Sequence, residues 1–210
     1  EISTIGRLRH PNLVRLLGYC RHKEDLYLVY DFMPNGSLDK YLYYRNNENQ
    51  ERLTWEQRFK IIKNVAAALL YLHQEWVQVI IHRDIKPSNI MLLPKKDENG
   101  KIAKIIDYGL ARFSEDGRIT SDGMVVGTLN FMAPEQLLKH GVDARSDLYS
   151  LGATMFYRLT KKFPFEISDI DKIAYSVLET KVPDLSNASI SLPDSLSELI
   201  IKLLNKDPNE

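Results

Sequence analysis

A polar run between two apolar stretches is the feature that most constrains how this chain can fold. Residues 80–93 read IIHRDIKPSNIMLL. The polar members of this run are His82, Arg83, Asp84, Lys86 and Asn89. Polar groups held against a core need hydrogen-bond partners or a chemical role. Singly they have ordinary explanations, because His82 and Arg83 could bind loop carbonyls and Asp84 could cap a turn, so only their combination and spacing can indicate a function.

Length and charge exclude several classes of protein. The chain has 210 residues, enough to bury a substantial core as one large domain or two small lobes. Lys plus Arg and Asp plus Glu both number 28, and no run rich in Lys and Arg is present, so we expect no nucleic-acid partner. Cys20 is a single cysteine and is typical of a reducing compartment. No apolar run is long enough to cross a bilayer and no signal-like segment begins the chain, so we expect no direct membrane contact.

Hydrophobic periodicity in the first part of the chain predicts strands followed by a long helix. Residues 13–20 and 26–32 predict two paired strands, preceded by a helix that ends before Pro11. Thr54 and Gln57 form a capping-box pattern, which predicts a helix from there to about His73. The residues predicted to face the core along this helix are Trp55, Phe59, Ile62, Ala66 and Leu69.

The second part of the chain is predicted to be mainly helical. Residues 90–93 and 101–106 flank an Asn-Gly pair and predict a hairpin. Residues 108–135 lack periodicity and form a connection long enough to indicate a function. A helix is predicted over 146–160, and two more over 169–179 and 195–204. The core face of the helix over 146–160 is predicted to contain Leu148, Leu151, Met155 and Leu159. This order of elements predicts an α+β protein.

The spacing of the polar residues resembles the eukaryotic-type protein kinase family over essentially the whole chain. Asp84, Lys86 and Asn89 lie at i, i+2 and i+5, Asp107 follows the predicted hairpin in IIDYGLA, and Ala-Pro-Glu ends the long connection at Glu135. The resemblance implies a bilobal α+β fold with an incomplete small β lobe, made of the end of the αC helix and the last strands, and a mainly helical large lobe. It implies a boundary between residues 1–33, the remnant of the small lobe and the hinge, and residues 34–210, a large lobe truncated at its C-terminus.

The resemblance has two parts. Residues 1–90, with IGRLRHPNLVRLLGYC and YLHQEWVQVIIHRDIKPSN, resemble plant receptor-like kinases of the lectin-receptor type. Residues 91–210, with GTLNFMAPEQL, are more similar to bacterial serine/threonine kinases. A composite sequence and an unusual lineage are both open. The resemblance implies a cytoplasmic domain, on the cytoplasmic face of a membrane if the parent is a receptor-like kinase.

The resemblance implies phosphoryl transfer, in which positioning and charge neutralisation lower the barrier. Asp84 would orient the attacking hydroxyl and Lys86 would neutralise charge on the transferred group. A lysine two positions after the aspartate resembles kinases whose protein substrates carry a Ser or Thr acceptor. Asn89 and Asp107 would hold Mg²⁺. Thr128 would contact Asp84 and Lys86 from the substrate side, or would bond to nearby backbone instead.

An ATP site is also implied by the resemblance. Tyr30 would be the gatekeeper at the end of the second strand, and the backbone of Asp31 and Met33 would bind adenine. Met91 would pack beneath the adenine ring and Ser37 would approach the ribose. For Met91 plain packing is the alternative, and for Ser37 capping is the alternative and the favoured one.

Regulatory roles are implied for several further residues. Arg83 and Arg112 would form a basic pocket for a phosphate on the activation loop, carried by Thr120 or Ser121. A merely polar, solvent-exposed loop is the alternative. Tyr108 replaces the usual phenylalanine of the metal-binding motif, which is expected to alter its in/out balance, and a buried phenol needs a partner for its hydroxyl.

Two carboxylates complete the regulatory set. Asp147 would accept hydrogen bonds from the backbone of the polar run near His82 and Arg83, or would be a simple N-terminal charge on its helix. Glu135 is expected to lack the arginine with which its position usually pairs.

Two elements of the family pattern are absent from these residues. Glu1 aligns with the glutamate of the αC helix, but neither its strand lysine nor the Gly-rich loop is present. We therefore expect phosphorylation of protein Ser or Thr by the intact parent, and no activity from these 210 residues alone. A pseudokinase and an interaction fragment are the alternatives. The four retained residues argue against the pseudokinase, because a scaffold has no chemical need for Asp84, Lys86, Asn89 and Asp107.

Overall fold

The computed structural model forms two compact units. The residues that it describes are 5–23, 25–43, 53–94, 101–108, 129–138, 141–165, 177–182, 185 and 192–209. The first unit comprises Glu1–Ile80 and Pro87–Gly109, and the second comprises Ile81–Lys86 and Leu110–Glu210. The predicted α+β class is confirmed, since the first unit holds the strands and the described elements of the second are helices. The boundary between residues 33 and 34 stays a prediction.

The first unit begins with the predicted pair of strands. β1 (Leu16–His22) and β2 (Asp25–Tyr30) are antiparallel, with Leu16 opposite Tyr30. Most of their side chains are exposed and only Leu16 is buried, so the hairpin is held mainly by its backbone hydrogen bonds. The register brings Tyr30 to the end of the hairpin that leads into residues 31–37.

A second hairpin lies deeper in the same unit. β3 (Ile90–Pro94) and β4 (Lys101–Ile105) are antiparallel, as predicted, and the Asn-Gly pair between them is outside the described residues. Residues 12–14 lie along the other edge of β4, where the Val14 N–H donates to the Ile105 carbonyl at 2.9 Å. The buried Asn12 side chain donates to the Ala103 carbonyl, also at 2.9 Å. These bonds fix the end of β4, from which residues 106–108 continue.

A capping box starts the long helix of the first unit. After the short α1 (Lys40–Tyr43), α2 (Trp55–Leu70) begins with Thr54 as its N-cap. The Thr54 hydroxyl accepts from the Gln57 N–H at 3.3 Å, and the Gln57 side chain accepts from the Thr54 N–H at 2.9 Å. This reciprocal pair satisfies two N–H groups that the helix itself cannot, so the predicted start is confirmed.

The predicted core face of α2 is wrong except at Leu69. The buried residues are Ile61, Val65, Ala68 and Leu69. Phe59 and Ala66 are exposed instead, while Trp55 and Ile62 are half-buried. Trp55 and Phe59 stack on each other at the surface, with ring centroids 6.4 Å apart. The core side of the helix is the side that packs on β4, about 100° around the helix axis from the predicted face.

The end of α2 also differs from the prediction. The α-helix ends at Leu70, and Tyr71–Glu75 forms one wider π turn in which the Trp76 N–H donates to the Tyr71 carbonyl at 3.0 Å. The Tyr71 ring stacks on His10, with centroids 4.9 Å apart, and contacts Trp76 at 5.9 Å. Helical backbone therefore continues past His73 in a different form.

The described elements of the second unit are helices. They are α3 (Pro134–Leu137), α4 (Ala144–Thr160) and α5 (Asp194–Leu203), of which α4 and α5 confirm two predictions. On α4, Leu151, Met155 and Leu159 are buried, but Leu148 is 38% exposed, so the predicted face is wrong at that residue. The predicted helix over 169–179 is observed at 177–179, and the rest lies outside the described residues.

A close approach between α4 and α5 requires a glycine. A Cβ atom on Gly152 would lie 2.7 Å from the Leu203 Cβ, which is closer than any real contact. The absence of a side chain therefore lets the two helices pack backbone against side chain.

Nowhere in the described part of the chain is a helix both long and apolar enough to span a membrane.

Candidate functional site

Asp147 holds the backbone of the polar run in the second unit. Its carboxylate is fully buried in the first turn of α4 and accepts from the His82 N–H and from the Arg83 N–H, each at 2.7 Å. Both predicted hydrogen bonds are therefore present. A buried carboxylate needs such donors, and two short charge-assisted bonds fix the orientation of the segment that it binds.

Arg83 has a strained backbone that is tied at both ends. Its φ is +69°, in the left-handed region that side chains other than glycine rarely adopt. Besides the bond to Asp147, its carbonyl accepts from the Gln136 side-chain amide at 2.9 Å. Gln136 also accepts from the Ala133 N–H at 3.0 Å at the start of α3. Sequence reasoning missed Gln136, although a Gln three residues after a helix N-cap is a recognisable capping signal.

Asp84 and Lys86 form an ion pair in the second unit. The Lys86 Nζ lies 2.8 Å from the Asp84 Oδ2, and the two side chains are 19% and 30% exposed, respectively. The Asp84 N–H donates to the His82 Nδ1 at 3.3 Å, and His82 is fully buried. The pair combines a hydrogen-bond acceptor for a hydroxyl with a cation, at a place that solvent reaches. Both side chains are partly exposed, and an ion pair of this kind contributes little to stability.

Glu135 has a partner other than the arginine that its position usually meets. The Ser146 hydroxyl donates to the Glu135 carboxylate, which is half-buried. α4 thus supplies a donor for this carboxylate next to Asp147, and the expected lack of the usual arginine stays a prediction.

Asn89 and Asp107 are brought together in the first unit. Asn89 ends the 3₁₀ turn Pro87–Asn89 and is buried, and its carbonyl accepts from the Ile106 N–H at 3.0 Å. Asp107 follows directly, with a left-handed φ of +63°, which aspartate tolerates better than most residues and which is common at functional sites. The hairpin therefore places the two residues near each other, as the sequence predicted.

The donor chemistry of this pair suits magnesium. Among the described residues no group of three or more His, Cys, Asp or Glu could hold a metal by itself. Mg²⁺ is usually held by one or two protein oxygen ligands together with substrate phosphates and water. The amide oxygen of Asn89 and the carboxylate of Asp107 fit that pattern.

The segment after β2 offers backbone groups in the first unit. The Asp31 N–H donates to the Arg15 carbonyl at 3.1 Å, and the Met33 carbonyl accepts from the Gly36 N–H at 3.0 Å. Within the described part of the chain, the Asp31 carbonyl and the Met33 N–H make no backbone hydrogen bond. One acceptor and one donor thus remain for the edge of a planar ring.

Ser37 and Met91 lie opposite each other in an isolated bridge between the same segment and β3. The Ser37 hydroxyl donates to the Asp39 carboxylate, which is the local capping role that the sequence left as the alternative. Met91 is half-buried at this bridge.

Two tyrosines of the first unit have buried hydroxyls. Tyr108 is fully buried and donates to the Val14 carbonyl at 2.8 Å, which is the partner that the sequence required. Burial raises the pKa of Tyr108 to about 12. The Tyr30 hydroxyl is also buried, and it lies near Asp107. Burial raises the pKa of Tyr30 above its ordinary value, and the nearby negative charge of Asp107 raises it further.

Five predicted site residues lie outside the described part of the chain. They are Glu1, Arg112, Thr120, Ser121 and Thr128. Their expected roles stay predictions.

The chain belongs to the protein kinase family. The sequence model of the protein kinase domain matches residues 1–210, so the resemblance to the protein kinase family and the kinase-type fold are confirmed. Members of this family generally use ATP and a divalent metal ion.

Plant receptor kinases are among its relatives. The chain is 62% identical over 156 residues to the L-type lectin-domain containing receptor kinase V.7 of Arabidopsis thaliana, covering 74% of this chain and 23% of that protein. It is 67% identical over 138 residues to the putative L-type lectin-domain containing receptor kinase V.6 of the same plant, covering 65% and 25%. The chain thus spans about a quarter of the length of these relatives. A match of 156 residues also extends the likeness to lectin receptor kinases beyond residues 1–90.

Proposed function

We propose that the protein to which this chain belongs transfers the terminal phosphoryl group of ATP to a Ser or Thr hydroxyl of a protein substrate. The observation that carries the proposal is the Asp84–Lys86 pair, on a loop whose backbone is held by the buried Asp147. Membership of the kinase family supports phosphoryl transfer. The lysine two residues after Asp84 favours a Ser or Thr acceptor.

Asp84 and Lys86 have complementary roles in this proposal. Asp84 accepts a hydrogen bond from the attacking hydroxyl and directs its oxygen toward phosphorus. Lys86, paired with Asp84 before substrate binds, neutralises the charge that develops on the transferred group. Thr128 contacts this pair from the substrate side. Because both side chains already sit on a rigid loop, little reorganisation is needed when the reaction occurs.

The nucleotide and metal are assigned to residues of the first unit. The Asp31 carbonyl and the Met33 N–H bind the edge of adenine, Tyr30 limits the depth of the pocket, and Met91 packs against the ring. Asn89 and Asp107 would hold a divalent metal ion, here proposed to be Mg²⁺, which neutralises phosphate charge when it is bound. Ser37 is left with its capping role, since its hydroxyl is already bonded to Asp39.

Regulatory residues and a cellular location are also proposed. Arg83 and Arg112 bind a phosphate on Thr120 or Ser121, which orders the activation loop, and Glu1 pairs with a strand lysine of the whole protein. The receptor kinases to which the chain is similar support a position on the cytoplasmic side of a membrane. Retention of the catalytic and metal-binding residues argues against a pseudokinase.

A kinase assay on the full protein tests the proposal. Asp84→Asn should lower the rate of phosphate transfer to a generic basic protein by about 10²–10⁴-fold, because the amide cannot accept the hydroxyl proton. Asp194→Asn, the same change at an exposed position, is the matched control and should be near wild type. Acid hydrolysis of the product should release phosphoserine or phosphothreonine. Phosphotyrosine as the sole product, or an unimpaired Asp84→Asn variant, would contradict the proposal.

A further inference from the structure

We propose that Gln136 is a positioning residue for Asp84, because its side-chain amide fixes the peptide group from which Asp84 projects. The inference rests on the proposed function, since it concerns the residue that orients the attacking hydroxyl in the same reaction. Gln136 lies on α3, 53 residues after Arg83 in the chain. Gln136, Arg83 and Asp84 all belong to the second unit.

The peptide group that joins Arg83 to Asp84 is held at both edges. A peptide group is planar, so its carbonyl and its N–H turn together. The Arg83 carbonyl accepts from the Gln136 side-chain amide at 2.9 Å. At the opposite edge of the same plane, the Asp84 N–H donates to the His82 Nδ1 at 3.3 Å. Bonds at both edges define the orientation of the plane, whereas one bond alone would let it tilt.

The partners of Gln136 allow its side-chain amide only one orientation. Its oxygen accepts from the Ala133 N–H at 3.0 Å, and its nitrogen donates to the Arg83 carbonyl. A backbone N–H only donates and a carbonyl only accepts, so the amide cannot be reversed without losing both bonds. Gln136 therefore ties the loop that carries Asp84 to the Ala-Pro-Glu sequence that ends the long connection.

The backbone of Arg83 needs such support. Its φ of +69° is unfavourable for a residue with a side chain, and a conformation of this kind persists only where the surrounding contacts hold it. Asp147 holds the N–H of Arg83 at 2.7 Å, and Gln136 holds its carbonyl. Loss of the second anchor lets the following peptide turn toward a relaxed conformation, which displaces Asp84 from the position in which it meets a hydroxyl.

Steady-state kinetics of the full protein with ATP and a generic basic protein test the inference. Gln136→Glu keeps the length of the side chain and its acceptor for the Ala133 N–H, but it places an oxygen against the Arg83 carbonyl in place of a donor. The value of kcat per ATP-binding site should fall about 10–100-fold, because a misplacement of about 1 Å has an effect of this size. KM for ATP should stay unchanged, since the residues assigned to the nucleotide belong to the first unit.

An Asp84→Asn background separates positioning from a merely structural role. If Gln136 acts through Asp84, Gln136→Glu lowers kcat no further in that background, whereas a general distortion of the second unit lowers it again. Gln57→Glu is the matched control, because Gln57 occupies the corresponding position in the capping box of α2 and accepts from the Thr54 N–H at 2.9 Å. Its kcat should equal that of wild type.

Two results would overturn the inference and leave the proposed function intact. One is a Gln136→Glu variant with the kcat of wild type, and the other is a further fall of kcat in the Asp84→Asn background. An Asp84→Asn variant as active as wild type would reject the proposed function and this inference together.

Discussion

Buried oxygen atoms decide much of the behaviour of individual residues in this chain. The Asp147 carboxylate meets two backbone donors, and the Tyr108 hydroxyl meets one carbonyl. Both contacts hold segments in place in the absence of any ligand.

The stability of the chain at alkaline pH should depend on Tyr108. Its pKa is about 12 in the folded chain and about 10 when unfolded, so the folded state binds more protons between these values. Stability from this group is complete below pH 10 and is lost as pH rises toward 12. Tyr108→Phe should lose about 1 kcal/mol at pH 7 with its hydrogen bond, and its free energy of unfolding should fall less between pH 10 and 12.

Urea unfolding at pH 7, 10 and 12 measures both effects. The control is Tyr19→Phe, which removes an exposed hydroxyl and should follow the wild-type curve. A Tyr108→Phe variant whose alkaline loss of stability equals that of wild type would contradict the assignment.

At the scale of the elements, local signals set where helices begin and packing sets which side they bury. The capping box at Thr54 starts α2 as predicted, because both hydrogen bonds join residues three apart. The buried side of the same helix is determined by β4, since Asn64 accepts from the Ala103 N–H at 3.1 Å and thereby fixes the rotation of the helix. The aromatic pair Trp55 and Phe59 is left at the surface.

Removal of the N-cap should weaken α2 by a measurable amount. Thr54→Ala is expected to destabilise the protein by about 1 kcal/mol, because the Gln57 N–H loses its acceptor. Thr54→Ser keeps the hydroxyl and serves as the control, with a much smaller change. Amide hydrogen exchange in the first turn of the helix should be faster only in the Ala variant. Equal exchange in both variants would show that the cap contributes nothing.

At the scale of the whole molecule, the proposed chemistry draws on more than these residues. The Gly-rich loop and the strand lysine that hold phosphates in kinases are not among the 210 residues. The exposed apolar side chains of β1 and β2, such as Leu17, Tyr19 and Val29, are unusual for a hairpin in water.

The isolated 210 residues should therefore transfer phosphate much more slowly than the full protein. We expect a difference of roughly 10²-fold or more, because loss of groups that stabilise phosphate charge costs at least that much. The assay compares both proteins at equal concentration with ATP, Mg²⁺ and a generic basic protein, and Asp84→Asn in the full protein defines the background. Comparable rates from the two proteins would contradict this expectation.

The sequence by itself determined the local features of this protein and the set of residues at its candidate site. The two hairpins, the capping box and the spacing of Asp84, Lys86 and Asn89 all depend on near neighbours in the chain, which sequence patterns record. Only the tertiary structure decided the buried side of α2, the bond from Gln136 to the Arg83 carbonyl and the bond from the Tyr108 hydroxyl to the Val14 carbonyl. Each of these depends on a partner brought close by packing from far along the chain, which no local pattern specifies.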